Sequence, residues 1–290
     1  PVLCAGCPHI GSYLPLRAIN ARVSGDIGCY TLGAIEPMRA MDTCVAMGSS
    51  IGVASGMSLA GTETRPIVAT IGDSTFLHSG ITGLIDMVYN GGDALVVIMN
   101  NDTTGMTGGQ EHAGTGRTAQ GSAAPKLDIA MLCKAIGARR VREIDAYDIK
   151  GLEKIMKEEL AEPGTAVLIS NQPCVLRYKV SKKHFRVIKE TCVGCKSCLK
   201  AGCIALSFVP EGKKGHVEVD PLLCNGCSVC SRISGPASKS ASSGPRPWPR
   251  RTWRRPGNSG RISRAAWRHC LPATRCWCCR PCPASPRSGI

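Results

Sequence analysis

The last sixty residues contain no acidic side chain. Ser231–Ile290 carries 13 Lys and Arg, whereas Pro1–Cys230 carries 23 against 21 Asp and Glu. The formal charge of +15 is therefore a property of the tail, and it is no evidence for a nucleic-acid partner of the body. The body lacks tryptophan; all four lie in the tail, with 9 of the 19 prolines. No run of 18 apolar residues occurs, which argues against a membrane-spanning helix. No charged stretch followed by an apolar one opens the chain, so no export signal is read and a cytoplasmic location is expected. The first residue is Pro1 rather than Met, and further chain is expected upstream.

Three readings of residues 234–290 stand side by side. A basic arm is one, although Trp and Cys are unusual in such arms. A metal module built on Cys270, Cys276, Cys278, Cys279 and Cys282 is another, but the spacing matches no familiar site. The third is a shifted reading frame in a GC-rich gene, and the composition fits it best. The tail has no apolar period of 2 or 3.6 with which to bury a face.

What the chain has in quantity is cysteine, 18 in all and 13 before Ser231. Without an export signal, C-x-x-C steps point to metal or redox chemistry rather than disulfides. Cys192, Cys195, Cys198 and Cys203 form one run, and Cys224, Cys227 and Cys230 a second. This is the spacing of two-cluster ferredoxins, in which the fourth cysteine of each run ligates the other cluster. Zinc is the alternative occupant. On the ferredoxin rule Cys203 joins Cys224, Cys227 and Cys230 around one 4Fe–4S cluster. Cys192, Cys195 and Cys198 then need a residue four places beyond Cys230, where Ser234 stands. One complete cluster and one with three thiolates are expected.

The remainder of the body alternates. Strands are expected at 67–72, 94–99, 139–144 and 165–170, and helices at 46–60, 77–89, 126–136 and 148–160. Alternation of this length implies α/β architecture with a doubly wound, mainly parallel sheet. The expected domains are a cofactor-binding domain over 1–176, a basic linker over 177–190, a 4Fe–4S ferredoxin-type module over 191–233, and the tail.

Gly72-Asp73-Ser74 closes one strand, and Asn100-Asn101 closes the next strand one βαβ unit later. Both loops then meet at the carboxyl edge of the sheet, where open α/β sheets bind ligands. Gly72 would admit a phosphate to the backbone, and a helix N-terminus follows it. Asp73 and Asn101 offer hard oxygens for magnesium. Gly-Asp alone is commonly a turn; paired with Asn-Asn it resembles the thiamine diphosphate motif, with Ser74 in the place of the usual third glycine.

The strings CAGCPH (4–9), GDIGCYTLGA (25–34), MDTCVAMGSSIG (41–52), IGDSTFLHSGI (71–81) and NNDTTGMTGGQEHAGTG (100–116) resemble the alpha subunit of indolepyruvate ferredoxin oxidoreductases. The resemblance runs from about residue 1 to 230. It implies a thiamine-diphosphate-binding fold followed by a two-cluster ferredoxin-like α+β module. It places magnesium on Asp73, Asn101 and Thr103, and the cofactor against Gly28, Cys29, Gly72 and Ser74. Related two-subunit enzymes use a C-x-x-C, a Gly-Cys and a QPC cysteine for a cluster beside the thiamine. Carried over, that set is Cys4, Cys7, Cys29 and Cys174; small buried residues are the alternative. His9 and His112 are candidate proton-handling residues, with structural hydrogen bonding as the plain alternative, which also covers His78. Cys44 and Cys133 read as packing.

The implied reaction is oxidative decarboxylation of an aryl pyruvate with coenzyme A, electrons passing through the clusters to ferredoxin. The resemblance also implies an N-terminal pyrimidine-binding domain and a beta subunit, without which the chain would not turn over. No nucleic acid and no membrane are expected as partners. A non-oxidative thiamine lyase or decarboxylase would share Asp73 and Asn101 but not need the ferredoxin runs. A pure electron carrier would not need residues 25–116.

Overall fold

The computed structural model describes residues 1–178, 184–212 and 214–233, all within one compact unit, Pro1–Ser243. The expectations for residues 234–290, and for Ser234 as a missing ligand, lie outside the described residues.

Six strands, β1 (Arg22–Gly25), β2 (Thr43–Cys44), β3 (Ile67–Gly72), β4 (Leu95–Asn100), β5 (Arg140–Asp145) and β6 (Ala166–Asn171), form one sheet in the order β2-β1-β3-β4-β6-β5. Every pairing is parallel. The central strands are continuous apolar runs because both faces are covered. Val96 and Ile98 on β4 point into one core; Val97 and Met99 point into the other.

The helices divide between those faces. α1 (Pro8–Ala18) packs on α6 (Ile149–Ala161), while α2 (Ser50–Ala60) packs on α4 (Ile81–Tyr89) and α4 on α5 (Ile129–Ile136). Asp128 and Asp148 cap α5 and α6 with their side chains, satisfying backbone N–H groups that helix geometry leaves free. The helix expected over 77–89 starts at Asp73. α3 (Asp73–Thr75) runs through a π turn, Phe76–Gly80, into α4. Such turns add one residue to a helical repeat.

The helix expected from residue 46 begins only at Ser50. Gly48, in the left-handed region at φ 86°, donates its N–H to Asp26 instead of entering a helical ladder. α1, β1 and β2 had no counterpart in the pattern. α1 contains Pro15 and buries eight of its eleven residues, so no polar face marks its period. β1 and β2 have four and two residues, too short for alternation to show.

The cysteine-rich segment has turns at Lys189–Thr191 and Ser197–Ala201, an antiparallel hairpin of β7 (Leu206–Glu211) and β8 (Lys214–Val219), and α7 (Val229–Ile233). Ala201 and Val229 enter the core that α1 and α6 share, so the segment is docked on that face of the sheet.

Asp26 pins the loop after β1. Fully buried, it accepts from the backbone N–H groups of Ile27 (2.8 Å), Gly48 (2.6 Å) and Ser50 (3.0 Å). Replacing Asp26 with Ala removes the acceptor for all three. We expect a loss of about 3 kcal/mol, since each unsatisfied buried donor costs on the order of 1–3 kcal/mol; urea unfolding of the two proteins measures it.

Candidate functional site

Register brings the site together. Gly72 pairs with Met99, and Asn100 with Asn171, so β3, β4 and β6 end side by side at the carboxyl edge. The chain after each strand is tied to the next: Asn101 N–H donates to Asp73 Oδ2 at 3.2 Å, and Cys174 N–H donates to Asn101 O at 2.9 Å.

Asp73, Asn101 and Thr103 are all buried. Asp73 Oδ1 accepts from Ser74 N–H at 2.8 Å, and Asn101 Oδ1 from Thr103 N–H at 3.2 Å. The Ser74 hydroxyl pairs with that of Thr104 at 2.7 Å. Asp102, between Asn101 and Thr103, has φ 57°, a left-handed conformation that Asp tolerates better than most residues.

His112 comes down on the same carboxylate. Gly114 N–H donates to His112 Nδ1 at 3.2 Å, so the neutral ring carries its proton on Nε2. That Nε2 is buried and faces Asp73 Oδ2 at 3.2 Å, yet off the line of a hydrogen bond. A buried donor without a bond beside a carboxylate is what a site for an anionic group held through a cation would present. Asp73, Asn101 and Thr103 fit a magnesium ion carrying a diphosphate in this respect.

His9, on α1, is buried and its Nε2 lies 3.4 Å from Asn101 Nδ2. Desolvation pushes its pKa down to about 4, against the opposing pull of Asp73. At neutral pH it is an uncharged acceptor for the amide. Tyr30 packs edge-on against it, with centroids 5.5 Å apart. The Tyr30 ring also occupies the space a side chain would take at Gly72, its Cε1 2.6 Å from where a Cβ would stand. Sequence reasoning read Gly72 as open to phosphate; in the structure its missing Cβ makes room for Tyr30. The sequence places Tyr30 directly after Gly28-Cys29, the only signal that could have found it. His78 is exposed on the π turn.

A cavity of about 410 Å³ opens beside these residues. Cys4, Cys7, Cys29 and Cys174 line it together with His9, Asn101 and Thr103. Burial raises the pKa of Cys4, Cys7 and Cys29, and neighbouring thiols raise each further. Four cysteines far apart in sequence thus share one space. Arg177 and Tyr178, which pattern reading passed over, bolt this wall to the 100–116 loop: Arg177 pairs with Glu111 at 2.8 Å, and Tyr178 OH donates to Asp102 O at 2.8 Å.

Cys230 sits in the field of Cys227, Cys203 and Cys224, and burial with these neighbours pushes its pKa up to about 12. Cys198 feels Cys195 and Cys192. The two groups are not separate, since Cys198 is also among the neighbours that raise Cys230.

Three loops have the form C-x-G-C: Cys4–Cys7, Cys192–Cys195 and Cys224–Cys227. Their glycines, Gly6, Gly194 and Gly226, have φ of 70°, 66° and 73°, a conformation open to glycine at little cost. The recurrence was visible in the sequence and escaped notice because Cys4–Cys7 lies so far from the other two loops.

All thirteen described cysteines are free. Among the described residues no three His, Cys, Asp or Glu side chains converge on a single ion. Cys133 is core, as expected. Cys44 is not: it is exposed on edge strand β2, where no helix covers it.

Residues 26–170 match the C-terminal TPP-binding domain of thiamine pyrophosphate enzymes. The indolepyruvate oxidoreductase subunit IorA of Thermococcus kodakarensis is 40% identical, the match covering 80% of this chain and 39% of that protein. The 2-oxoglutarate synthase subunit KorB of Archaeoglobus fulgidus is 30% identical over 58% of this chain and 67% of its own length. The chain belongs to the 2-oxoacid:ferredoxin oxidoreductase family of thiamine pyrophosphate enzymes.

Within that family it is similar to IorA subunits, of which it spans about two-fifths the length. The fold of this family member is also that of a 2-oxoglutarate:ferredoxin oxidoreductase from Magnetococcus marinus. The TM-score is 0.54 at 20% identity, over 61% of this chain and 65% of that one.

The depressed pKa of His9 has a measurable consequence for this thiamine pyrophosphate domain. Its folded pKa of about 4 lies below the ordinary value near 6.5. Between those limits the unfolded chain binds the proton and the folded one does not. Stability from this group is complete above about pH 6.5 and is lost as pH falls toward 4, by about 3 kcal/mol in all. Urea unfolding at pH 7 and pH 5 should show a smaller pH difference in His9→Asn than in the parent; an equal difference contradicts the assignment.

Proposed function

We propose that this chain is the thiamine-binding and electron-exit part of an enzyme that oxidatively decarboxylates aryl pyruvates such as indolepyruvate. The products are an aryl-acetyl-CoA and electrons passed to ferredoxin. One observation carries the reading: Asn101, tied to Asp73, opens into the same cavity as Cys4, Cys7, Cys29 and Cys174. A lyase would need the first feature without the second, and an electron carrier the second without the first. The choice of indolepyruvate follows the similarity to the indolepyruvate oxidoreductase subunit IorA.

In this reading Asp73, Asn101 and Thr103 hold magnesium, and Gly28, Cys29, Gly72 and Ser74 line the cofactor site. Bound thiamine pyrophosphate supplies an electron sink for the carbanion left by decarboxylation. His112 orients the Asp73 carboxylate. His9 is neutral and buried, so it can hold or pass a proton beside Asn101 without adding charge to a site that already carries a cation. Cys4, Cys7, Cys29 and Cys174 bind the first 4Fe–4S acceptor at the cavity itself. Cys203, Cys224, Cys227 and Cys230 bind a second, and Cys192, Cys195 and Cys198 a third with three thiolates from the described residues. The matching C-x-G-C conformations support one kind of ligand at all three loops.

The domains follow as 1–176 for thiamine pyrophosphate, 177–190 as linker and 191–233 as the ferredoxin-type module. The remaining length of the IorA relatives leaves room for a pyrimidine-binding domain preceding this segment. A beta subunit, coenzyme A and ferredoxin complete the reaction. Free thiols throughout the described residues suit a reducing, cytoplasmic setting, and no described helix is long and apolar enough to cross a membrane.

The test supplies the missing domain and beta subunit, then measures indolepyruvate-dependent reduction of a viologen dye with coenzyme A present. Reduction is expected from the assembly and not from this chain alone. Asp73→Ala should abolish magnesium-dependent thiamine pyrophosphate binding by calorimetry, while Cys174→Ser should keep that binding and lose dye reduction. Carbon dioxide release without dye reduction would favour the lyase.

A further inference from the structure

Tyr147 stands between two of the cysteine groups and belongs to neither. It follows β5, is buried, and its hydroxyl donates to Gly6 O at 2.6 Å. Gly6 is the left-handed residue of the Cys4–Cys7 loop. The main chain of Tyr147 is held as firmly: its N–H donates to Asp145 Oδ1 at 2.7 Å, and its carbonyl accepts from Arg232 Nη1 at 2.7 Å. Arg232 lies on α7, the helix that carries Cys230.

The other side of the junction is closed as well. A Cβ on Gly6 would collide with the side chain of Asn225, in the Cys224–Cys227 loop. Gly6 and Cys7 line one small pocket with Cys203, Cys224, Cys227 and Cys230. The first and second cysteine groups therefore meet at this point. Tyr147 reaches the first loop with its hydroxyl and the second loop's helix with its carbonyl. Burial raises the phenol pKa, and Cys227, Cys7 and Cys174 raise it further, so the donor stays protonated at neutral pH.

We propose that Tyr147 is a positioning residue that sets the electron-transfer contact between the cluster on Cys4, Cys7, Cys29 and Cys174 and the cluster on Cys203, Cys224, Cys227 and Cys230. The inference rests on the oxidoreductase reading above. With clusters bound by these cysteines, one electron would pass from the first, reduced, to the second, oxidised; Tyr147 would be neither oxidised nor deprotonated. Its part is mechanical: a rigid ring and two hydrogen bonds fix the gap.

Tyr147→Phe keeps the ring and removes the bond to Gly6. The full chain, reconstituted anaerobically with iron and sulfide, is compared with this variant by iron count and by EPR after dithionite reduction. We expect equal iron, with the magnetic splitting between neighbouring reduced clusters present in the parent and diminished in the variant. Rapid-freeze EPR should show slower electron arrival at the second cluster.

Equal iron with unchanged splitting and unchanged arrival would overturn the role of Tyr147 while leaving the oxidoreductase reading intact. Should Tyr147→Phe shed iron, Arg232→Met decides by the same readouts, because it leaves the phenol in place. A parent chain that takes up iron at Cys192–Cys230 but none at Cys4–Cys7 would overturn the reading, and the inference with it.

Discussion

The hydrogen bond from Asn101 N–H to Asp73 Oδ2 joins the ends of β3 and β4, and the rest of the site is arranged around it. It exists because two parallel strands end level, with Gly72 opposite Met99. On one side it holds Asp73 and Asn101 together, both buried at the carboxyl edge of the sheet. On the other, Cys174 N–H on Asn101 O brings the end of β6 into the same plane. A parallel sheet gives this for any sequence that ends its strands in register, which explains why ligands gather at that edge. What this chain adds is a cysteine on the third strand's loop and a two-cysteine loop leading into α1.

Those cysteines couple the two halves of the molecule. The Cys4–Cys7 loop lines the cavity with its cysteines and meets the cysteine-rich segment at Gly6. A disulfide would satisfy none of these contacts.

Much of this was legible in sequence, for physical reasons that differ by element. The strands 67–72 and 165–170 were found within one residue because a strand covered on both faces is an unbroken apolar run. α6 was found because one face is polar and Asp148 caps its start; α5, apolar apart from Lys134, is marked by Asp128 at its start and Gly137 at its end. α1 was missed because almost all of it is buried, so no period distinguishes its faces. The Asp73–Asn101 pairing could be read from spacing alone, since one βαβ unit fixes where its two loops end. The meeting of Cys29 and Cys174 with Cys4 and Cys7 could not, because it depends on tertiary structure; only family resemblance suggested it. Cys44 was misjudged because nothing in its neighbourhood says that β2 lies at the edge of the sheet.

Tyr30, Tyr147 and Arg177 act by filling space or by tying loops together, and such roles leave no motif. The three C-x-G-C loops did leave one. Their shared left-handed glycine links the carboxyl edge of the sheet to the cysteine-rich segment in conformation.

The central claim is that iron binds at the thiamine pyrophosphate edge as well as in the cysteine-rich segment. Anomalous diffraction at the iron edge, from anaerobically grown crystals of the chain, tests it most directly. The account predicts an iron peak enclosed by Cys4, Cys7, Cys29 and Cys174 in the cavity beside Asn101, and another enclosed by Cys203, Cys224, Cys227 and Cys230. Iron at the second place with none at the first, in protein whose iron content is full, would contradict it.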